Sequence, residues 1–143
     1  MDLVVDFDFN AAHRLPRHPG RCFRLHGHNY RLQVIVAGTP EGGSGMVVDF
    51  FDIETVVGSL LDTIRDTCLN EKLENPTAEA IVVWLWRRIQ PELPRLKALR
   101  LFETDACHVV YRGEDVPEGL VAPGSPGPWP STAPSEQEGV GSV

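Results

Sequence analysis

His26-Gly27-His28-Asn29-Tyr30-Arg31-Leu32-Gln33-Val34-Ile35-Val36 alternates polar and apolar side chains over the length of a strand. Tyr30, Leu32, Val34 and Val36 fall on one face, so the spacing predicts a strand over 28–37 with one side in a core. His26 and His28 lead into the same alternation. Residues two apart in a strand share a face, so the two imidazoles are expected to project together. Upstream, Leu3, Val5, Phe7 and Phe9 alternate with Asp2, Asp6 and Asp8. That pattern predicts a first strand over 2–10, apolar on one face and acidic on the other. His13 stands at its end, placed to supply a third nitrogen.

Between the two strands lies a loop with Pro16, Pro19 and Gly20, and the stretch 13–28 holds four of the five histidines and no acidic residue. Downstream, Thr39-Pro40-Glu41-Gly42-Gly43-Ser44-Gly45 reads as a turn. Then the period changes. Ile53, Val56, Val57, Leu60, Leu61 and Ile64 recur at helical spacing and predict an amphipathic helix. A second helix is expected to begin near Asn75-Pro76-Thr77, with an N-cap candidate followed by proline in the first turn. Ile81, Trp84, Leu85, Arg88 and Ile89 make its stripe, and Pro91 and Pro94 end it. Two more strands follow at about 96–105 and 107–112. The order β-β-α-α-β-β predicts an α+β domain, with a four-stranded sheet and both helices on one face. The other face and the sheet edges call for a partner, so a homo-oligomer is expected.

A chain of 143 residues is one domain with a proper core. No apolar run approaches a membrane span, and the start, Met1-Asp2-Leu3-Val4-Val5-Asp6, lacks a basic n-region, so a membrane partner and a secretory signal are not expected. Three cysteines at irregular spacing fit a reducing, cytoplasmic setting better than a disulfide framework. The net charge of −7 excludes the strongly basic balance of nucleic-acid binders. Much of the acidity sits in residues 114–143, which hold five acids, no base, six prolines, five glycines and four serines. The expected division is therefore a domain over 1–113 and a disordered tail over 114–143, in which Trp129 reads more readily as an idle side chain than as a docking anchor. A chain ending after Glu114 would then behave like the full protein.

Three neutral imidazoles with no fourth protein ligand describe a catalytic rather than a structural zinc site, because structural zinc is closed by four ligands and is rich in thiolates. His13, His26 and His28 are the expected ligands and Zn2+ the expected cofactor. Cys22 lies between Arg21 and Arg24, whose cations favour a thiolate suited to act as base or nucleophile. Cys68 and Cys107 read as inert. Arg14, Arg17, Arg21, Arg24 and Arg31 lie in a span without acids between Asp8 and Glu41, which suits a small polyanion such as a phosphate ester.

The motifs F-x-A-A-H-R-L (9–15), C-x-x-x-H-G-H (22–28), V-x-D-F (47–50), N-P-T-x-E (75–79) and Glu103-Thr104 ahead of Tyr111 occur in this order. The chain resembles the 6-pyruvoyl-tetrahydropterin synthase family over residues 5–114. That resemblance implies the tunnelling fold, a trimer or hexamer with active sites between subunits, and a pterin triphosphate substrate. Three residues between Cys22 and His26 are similar to the branch of bacterial 6-carboxy-5,6,7,8-tetrahydropterin synthases. This branch implies conversion of 7,8-dihydroneopterin triphosphate to the carboxytetrahydropterin, acetaldehyde and triphosphate, on the route to 7-deazaguanines such as queuosine. The resemblance also implies that Glu103 anchors the pterin through paired hydrogen bonds to its 2-amino and N3 groups. It places Thr77 and Glu79 along the pterin pocket, and Arg24 is the basic candidate for the substrate's phosphates.

The chain departs from the family pattern at one place. Where the family carries D-H-x-x-L-N as a proton relay for the cysteine, this chain reads Arg65-Asp66-Thr67-Cys68-Leu69-Asn70. Counted without gaps, Arg65 falls in the Asp position and Asp66 in the His position, and a shift of one residue pairs Asp66 with Thr67, so no histidine stands there in either register. Two replacements are candidates: Asp66, if partly buried with Arg65 turned away, and His108, in the strand after Glu103-Thr104. The alternatives to the synthase are a pyruvoyl-type or other pterin side-chain lyase, or a pterin- and zinc-binding relative without turnover.

Overall fold

The computed structural model describes residues 1–126. β1 (Asp2–His13) and β2 (His26–Ala37) are followed by α1 (Phe50–Asp62) and α2 (Ala78–Ile89), then β3 (Leu96–Thr104) and β4 (Cys107–Tyr111). The strands form one antiparallel meander in the order β1-β2-β3-β4. The expected β-β-α-α-β-β order is the observed one. β1 and β2 pair without a break from Asp2 opposite Ala37 to His13 opposite His26, so the strand alternation settles which side chains share a face.

One face carries Phe9, Ala11, Tyr30, Leu32, Val34, Leu99 and Leu101, and both helices cover it. The rings of Phe9 and Tyr30 stack across β1 and β2 with centroids 5.0 Å apart. The uncovered face keeps the expected acids, with Asp2, Asp6 and Asp8 exposed. Asp8, Arg31, Phe102 and His108 lie there in one cross-strand row. The Arg31 guanidinium sits 3.9 Å over the Phe102 ring, and that ring stacks on His108.

α1 buries Ile53, Val57 and Leu61, the central positions of the predicted stripe. Asp49 caps it by accepting the Phe51 amide at 2.9 Å. The second helix differs from expectation at its start. Thr77, not Asn75, is the N-cap, its hydroxyl accepting the Ala80 amide at 3.1 Å. Such a cap contributes about 1 kcal/mol. Pro76 therefore stands before the helix instead of in its first turn. α2 is also buried on more sides than its stripe indicates: Val82 and Val83 are covered along with Ile81, Leu85 and Ile89. Arg88 lies at the stripe's edge, exposed and packed over the Trp84 ring at 3.9 Å.

The cover on the far side of α2 comes from the segment expected to be a disordered tail. Val116, Leu120 and Val121 pack against the core, and a 3-10 turn spans Glu118–Val121. Beyond it the chain runs beside residues 70–74. Glu74 donates to the Ala122 carbonyl at 2.9 Å, Gly124 to Lys72 at 3.1 Å and Ser125 to Asn70 at 3.3 Å. The domain thus continues past the expected boundary at 113. Three apolar side chains suffice to order this segment because α2 offers an apolar surface that would otherwise face water. A chain ending after Glu114 lacks these contacts. The remainder of the expected tail, with Trp129, lies outside the described residues.

After α1 the chain reverses at Asp66, which has φ 60°, a left-handed conformation that a short polar side chain tolerates. Residues 66–68 then follow the outer edge of β1. Asp66 donates its amide to the Asn10 carbonyl at 2.8 Å, and Ala12 donates to Thr67 at 2.9 Å. No helix among the described residues is long and apolar enough to cross a membrane.

Candidate metal centre and active site

His13 ends β1 and His26 begins β2, directly opposite each other in register; His28 is opposite Ala11. Strand parity therefore puts three imidazoles on the helix-covered face. Their candidate ligand nitrogens all lie within 4.8 Å of one another. His13 is fully buried, and its Nδ1 is 2.8 Å from the Pro76 carbonyl. The His26 Nδ1 is 2.8 Å from the Arg24 carbonyl. A carbonyl oxygen only accepts, so in both neutral rings Nδ1 carries the proton and Nε2 is a bare lone pair. Those two Nε2 atoms face each other at 3.1 Å. The His28 Nε2 is buried without a hydrogen-bond partner among the described residues.

Two bare lone pairs in contact repel, and a third unsatisfied nitrogen beside them adds a desolvation cost. A cation among the three removes both penalties. The residues thus fit a zinc ion with an open fourth position. The carbonyls of Pro76 and Arg24 are the outer partners that fix ring orientation in such sites. The hydroxyl of Tyr30 lies 3.3 Å from the His13 Nδ1.

Electrostatics agree with neutral rings. Burial pushes His13 down to about 3, opposed by its bond to Pro76 and helped by its histidine neighbours. Burial and the nearby His26 push His28 down to about 4. The sign for stability follows. Below the ordinary histidine value of about 6.5 the unfolded chain takes up protons that the folded chain refuses. Metal-free protein is therefore expected to lose stability as pH falls from 7.5 to 5. His13 alone would account for about 2 kcal/mol. Urea midpoints at the two pH values measure this, and an unchanged or higher midpoint at pH 5 would contradict it.

Glu103 completes the cluster. Its carboxylate oxygens lie 3.9 Å from the Nε2 atoms of His13 and His28. The β3–β4 register slips between Phe102 and Thr104, and Glu103 is the extra residue there, a bulge of the kind that re-aims a side chain. Burial raises its pKa, His26 opposes the rise and Glu79 adds to it. Glu79 is therefore near enough to be felt, although exposed, and Thr77 begins the same helix beside Pro76.

The other predicted residues are dispersed. Cys22 is half-buried in the 3-10 turn Arg21–Phe23, and its carbonyl closes the loop by accepting the Leu15 amide at 2.9 Å. The Arg24 side chain is exposed, and only its carbonyl reaches the cluster. Asp66 is exposed on the turn after α1, so the partial burial its relay role requires is absent from the single chain. Arg65 does turn elsewhere, to the Asp8 carbonyl at 2.8 Å and to Asp62. His108 is exposed and stacked on Phe102, on the sheet face away from Glu103 and the helices. It is not packed into the core, and its own chain does not bring it to the cluster. The Cys68 thiol is fully buried and burial raises its pKa, in keeping with an inert role.

Sequence reasoning passed over Pro76, Tyr30 and the Arg24 carbonyl. Tyr30 carried a signal, two residues past His28 on the same strand face. Backbone carbonyls carry none. A cleft of about 730 Å³ lined by Val47, Phe51, Val56, Leu93 and Arg95 lies at the Val36 end of β2, the end opposite the histidines.

Residues 2–114 match the family model for 6-pyruvoyl tetrahydropterin synthase. A 6-carboxy-5,6,7,8-tetrahydropterin synthase of Synechocystis is 38% identical over 110 residues, covering 71% of this chain and 85% of the relative. A dihydroneopterin monophosphate aldolase of Pyrococcus furiosus is 37% identical over 104 residues, covering 71% and 88%. The solved 6-pyruvoyl tetrahydropterin synthase of Caenorhabditis elegans superposes with a TM-score of 0.74 at 24% identity, over 80% of this chain and 96% of that one. The motif order, the β-β-α-α-β-β meander and these matches agree: the chain belongs to the 6-pyruvoyl tetrahydropterin synthase family.

Proposed function

We propose that this protein is a zinc-dependent lyase that converts 7,8-dihydroneopterin triphosphate and one water to 6-carboxy-5,6,7,8-tetrahydropterin, acetaldehyde and triphosphate. The observation that carries the reading is the convergence of three histidine ring nitrogens beside a carboxylate, within a chain similar to synthases of that name. Zinc on His13, His26 and His28 supplies Lewis acidity toward the substrate's side-chain oxygens.

The chain's own groups do the rest. Glu103 accepts two hydrogen bonds from the pterin's 2-amino and N3 groups and so fixes the ring. Its raised pKa leaves it a strong acceptor once that partner excludes water. Thr77 and Glu79, at the start of α2, border the same pocket. Cys22 takes and returns protons at the carbons next to the ring, with Arg24 and its neighbours drawing the triphosphate. The relay partner of Cys22 is Asp66 or His108. Because neither reaches the histidine cluster of its own chain, either one serves from a second copy. This agrees with a trimer or hexamer whose sites lie between subunits. Three free cysteines suit the reducing cytoplasm.

The test is incubation of zinc-loaded protein with dihydroneopterin triphosphate and identification of the products. Carboxytetrahydropterin together with acetaldehyde supports the reading. The relative named as a dihydroneopterin monophosphate aldolase and the absent relay histidine favour a second one, aldol cleavage of a dihydroneopterin side chain. An aldehyde product without a carboxypterin would select it. Tight pterin binding without any product would leave a non-catalytic relative.

A further inference from the structure

Asn70 is 2% exposed, a buried amide just outside the histidine cluster. Its side chain grips both backbone groups of Arg14. The Oδ1 accepts the Arg14 amide at 2.8 Å, and the Nδ2 donates to the Arg14 carbonyl at 2.8 Å. Arg14 follows His13 directly, so this clamp fixes the backbone on one side of the ligand, while Pro76 fixes the ring on the other. The clamp is itself held from outside. Ser125 donates to the Asn70 carbonyl at 3.3 Å, and Gly124 passes so close that a Cβ there would lie 2.0 Å from that oxygen. Residues 116–125 lie beyond the region matched by the family model, which ends at 114.

We propose that Asn70 is a positioning residue for the metal site, and that residues 116–125 form a strap that holds Asn70 against the end of β1. The physical reason lies in the spacing of the ligand atoms. Zinc–nitrogen bonds run near 2.0–2.1 Å and tolerate little displacement, whereas the end of a strand frays unless its backbone groups are paired. With the strap seated, Asn70 is fixed through its carbonyl on one side and its amide on the other. His13 is then presented at one position, and binding carries no further ordering cost. The segment beyond the matched region thereby tunes the metal centre. This inference rests on His13, His26 and His28 binding zinc.

Three full-length variants test it: Gly124→Ala, which drives a methyl group into the Asn70 carbonyl; Asn70→Asp, which keeps the acceptor for the Arg14 amide and loses the donor to its carbonyl; and Gly119→Ala as a control, because a Cβ there meets nothing within 4 Å. Zinc affinity is read by competition with a chromophoric chelator at a temperature where circular dichroism shows each variant folded. The visible spectrum of the cobalt-loaded protein reports ligand geometry at saturation. The expected result is a loss of about ten-fold or more in metal affinity for Gly124→Ala and Asn70→Asp, with a shifted cobalt spectrum and with Gly119→Ala like the parent. A merely structural role would lower the melting temperature and leave both readouts unmoved, and that result overturns the proposal. Should one variant not fold, the other decides by the same criteria. A parent that binds neither zinc nor cobalt would instead remove the metal reading on which the inference rests.

Discussion

Replacing His28 with alanine is expected to abolish stoichiometric zinc binding while leaving the fold in place. Among the described residues the His28 Nε2 has no hydrogen-bond partner, so its removal takes away no hydrogen bond there. Its side chain is 19% exposed, so the void left is partly open to water. Losing an outer partner of a metal ligand lowers affinity by about ten- to a hundred-fold, and loss of a ligand itself is expected to exceed a hundred-fold. Turnover should fall in parallel. His13→Ala differs, because that side chain is fully buried and its ring also holds Pro76. That variant should lose stability as well as metal, by roughly 2 kcal/mol or more. Elemental analysis, chelator competition and thermal melts separate the two. Full zinc occupancy in His28→Ala would overturn the three-histidine assignment.

Glu103→Gln should show the opposite pattern. The substitution keeps size and shape but makes one of the two acceptor positions a donor, set against donors on the pterin ring. A hydrogen bond to a charged group is worth about 1.5–3 kcal/mol, so pterin affinity is expected to fall by about ten- to a hundred-fold, with kcat/KM falling at least as much. Zinc occupancy should stay at the parent level, because three nitrogens suffice and the carboxylate stands 3.9 Å from two of them. Fluorescence titration with a reduced pterin, alongside metal analysis, measures both. If Glu103→Gln loses its zinc with pterin affinity intact, the carboxylate is a fourth ligand and not an anchor.

These variants would be read against the relay question. In the sequence, Asp66 aligns with the missing histidine and His108 stands in the strand after Glu103-Thr104. In the folded chain they occupy different surfaces, Asp66 on the turn along the outer edge of β1 and His108 on the uncovered sheet face. Under the proposed function, a catalytic role for either would come from a second copy of the chain. Mixed oligomers, one copy lacking Cys22 and the other lacking the relay candidate, would recover activity if the site is shared between chains.

The sequence alone determined the sheet, α1 and the grouping of three histidines. Strand alternation is local: whichever face Tyr30, Leu32 and Val34 bury, His26 and His28 must share it. The same holds for His13 at the end of the acidic-faced strand, and for the i, i+3, i+4 spacing of Ile53, Val57 and Leu61 in α1. Three features were decided only by the tertiary structure. That Glu103 meets the histidines, and that His108 lies outward beside Phe102, depend on how β3 pairs with β2 and β4, and register is a relation between strands that neither strand specifies alone. The order of residues 116–125 depends on α2 offering Val116, Leu120 and Val121 an apolar surface, whereas composition counted only prolines, glycines and acids. The protonation of the histidines depends on the carbonyls of Pro76 and Arg24. A carbonyl belongs to every residue alike, so only the folded backbone could choose those two.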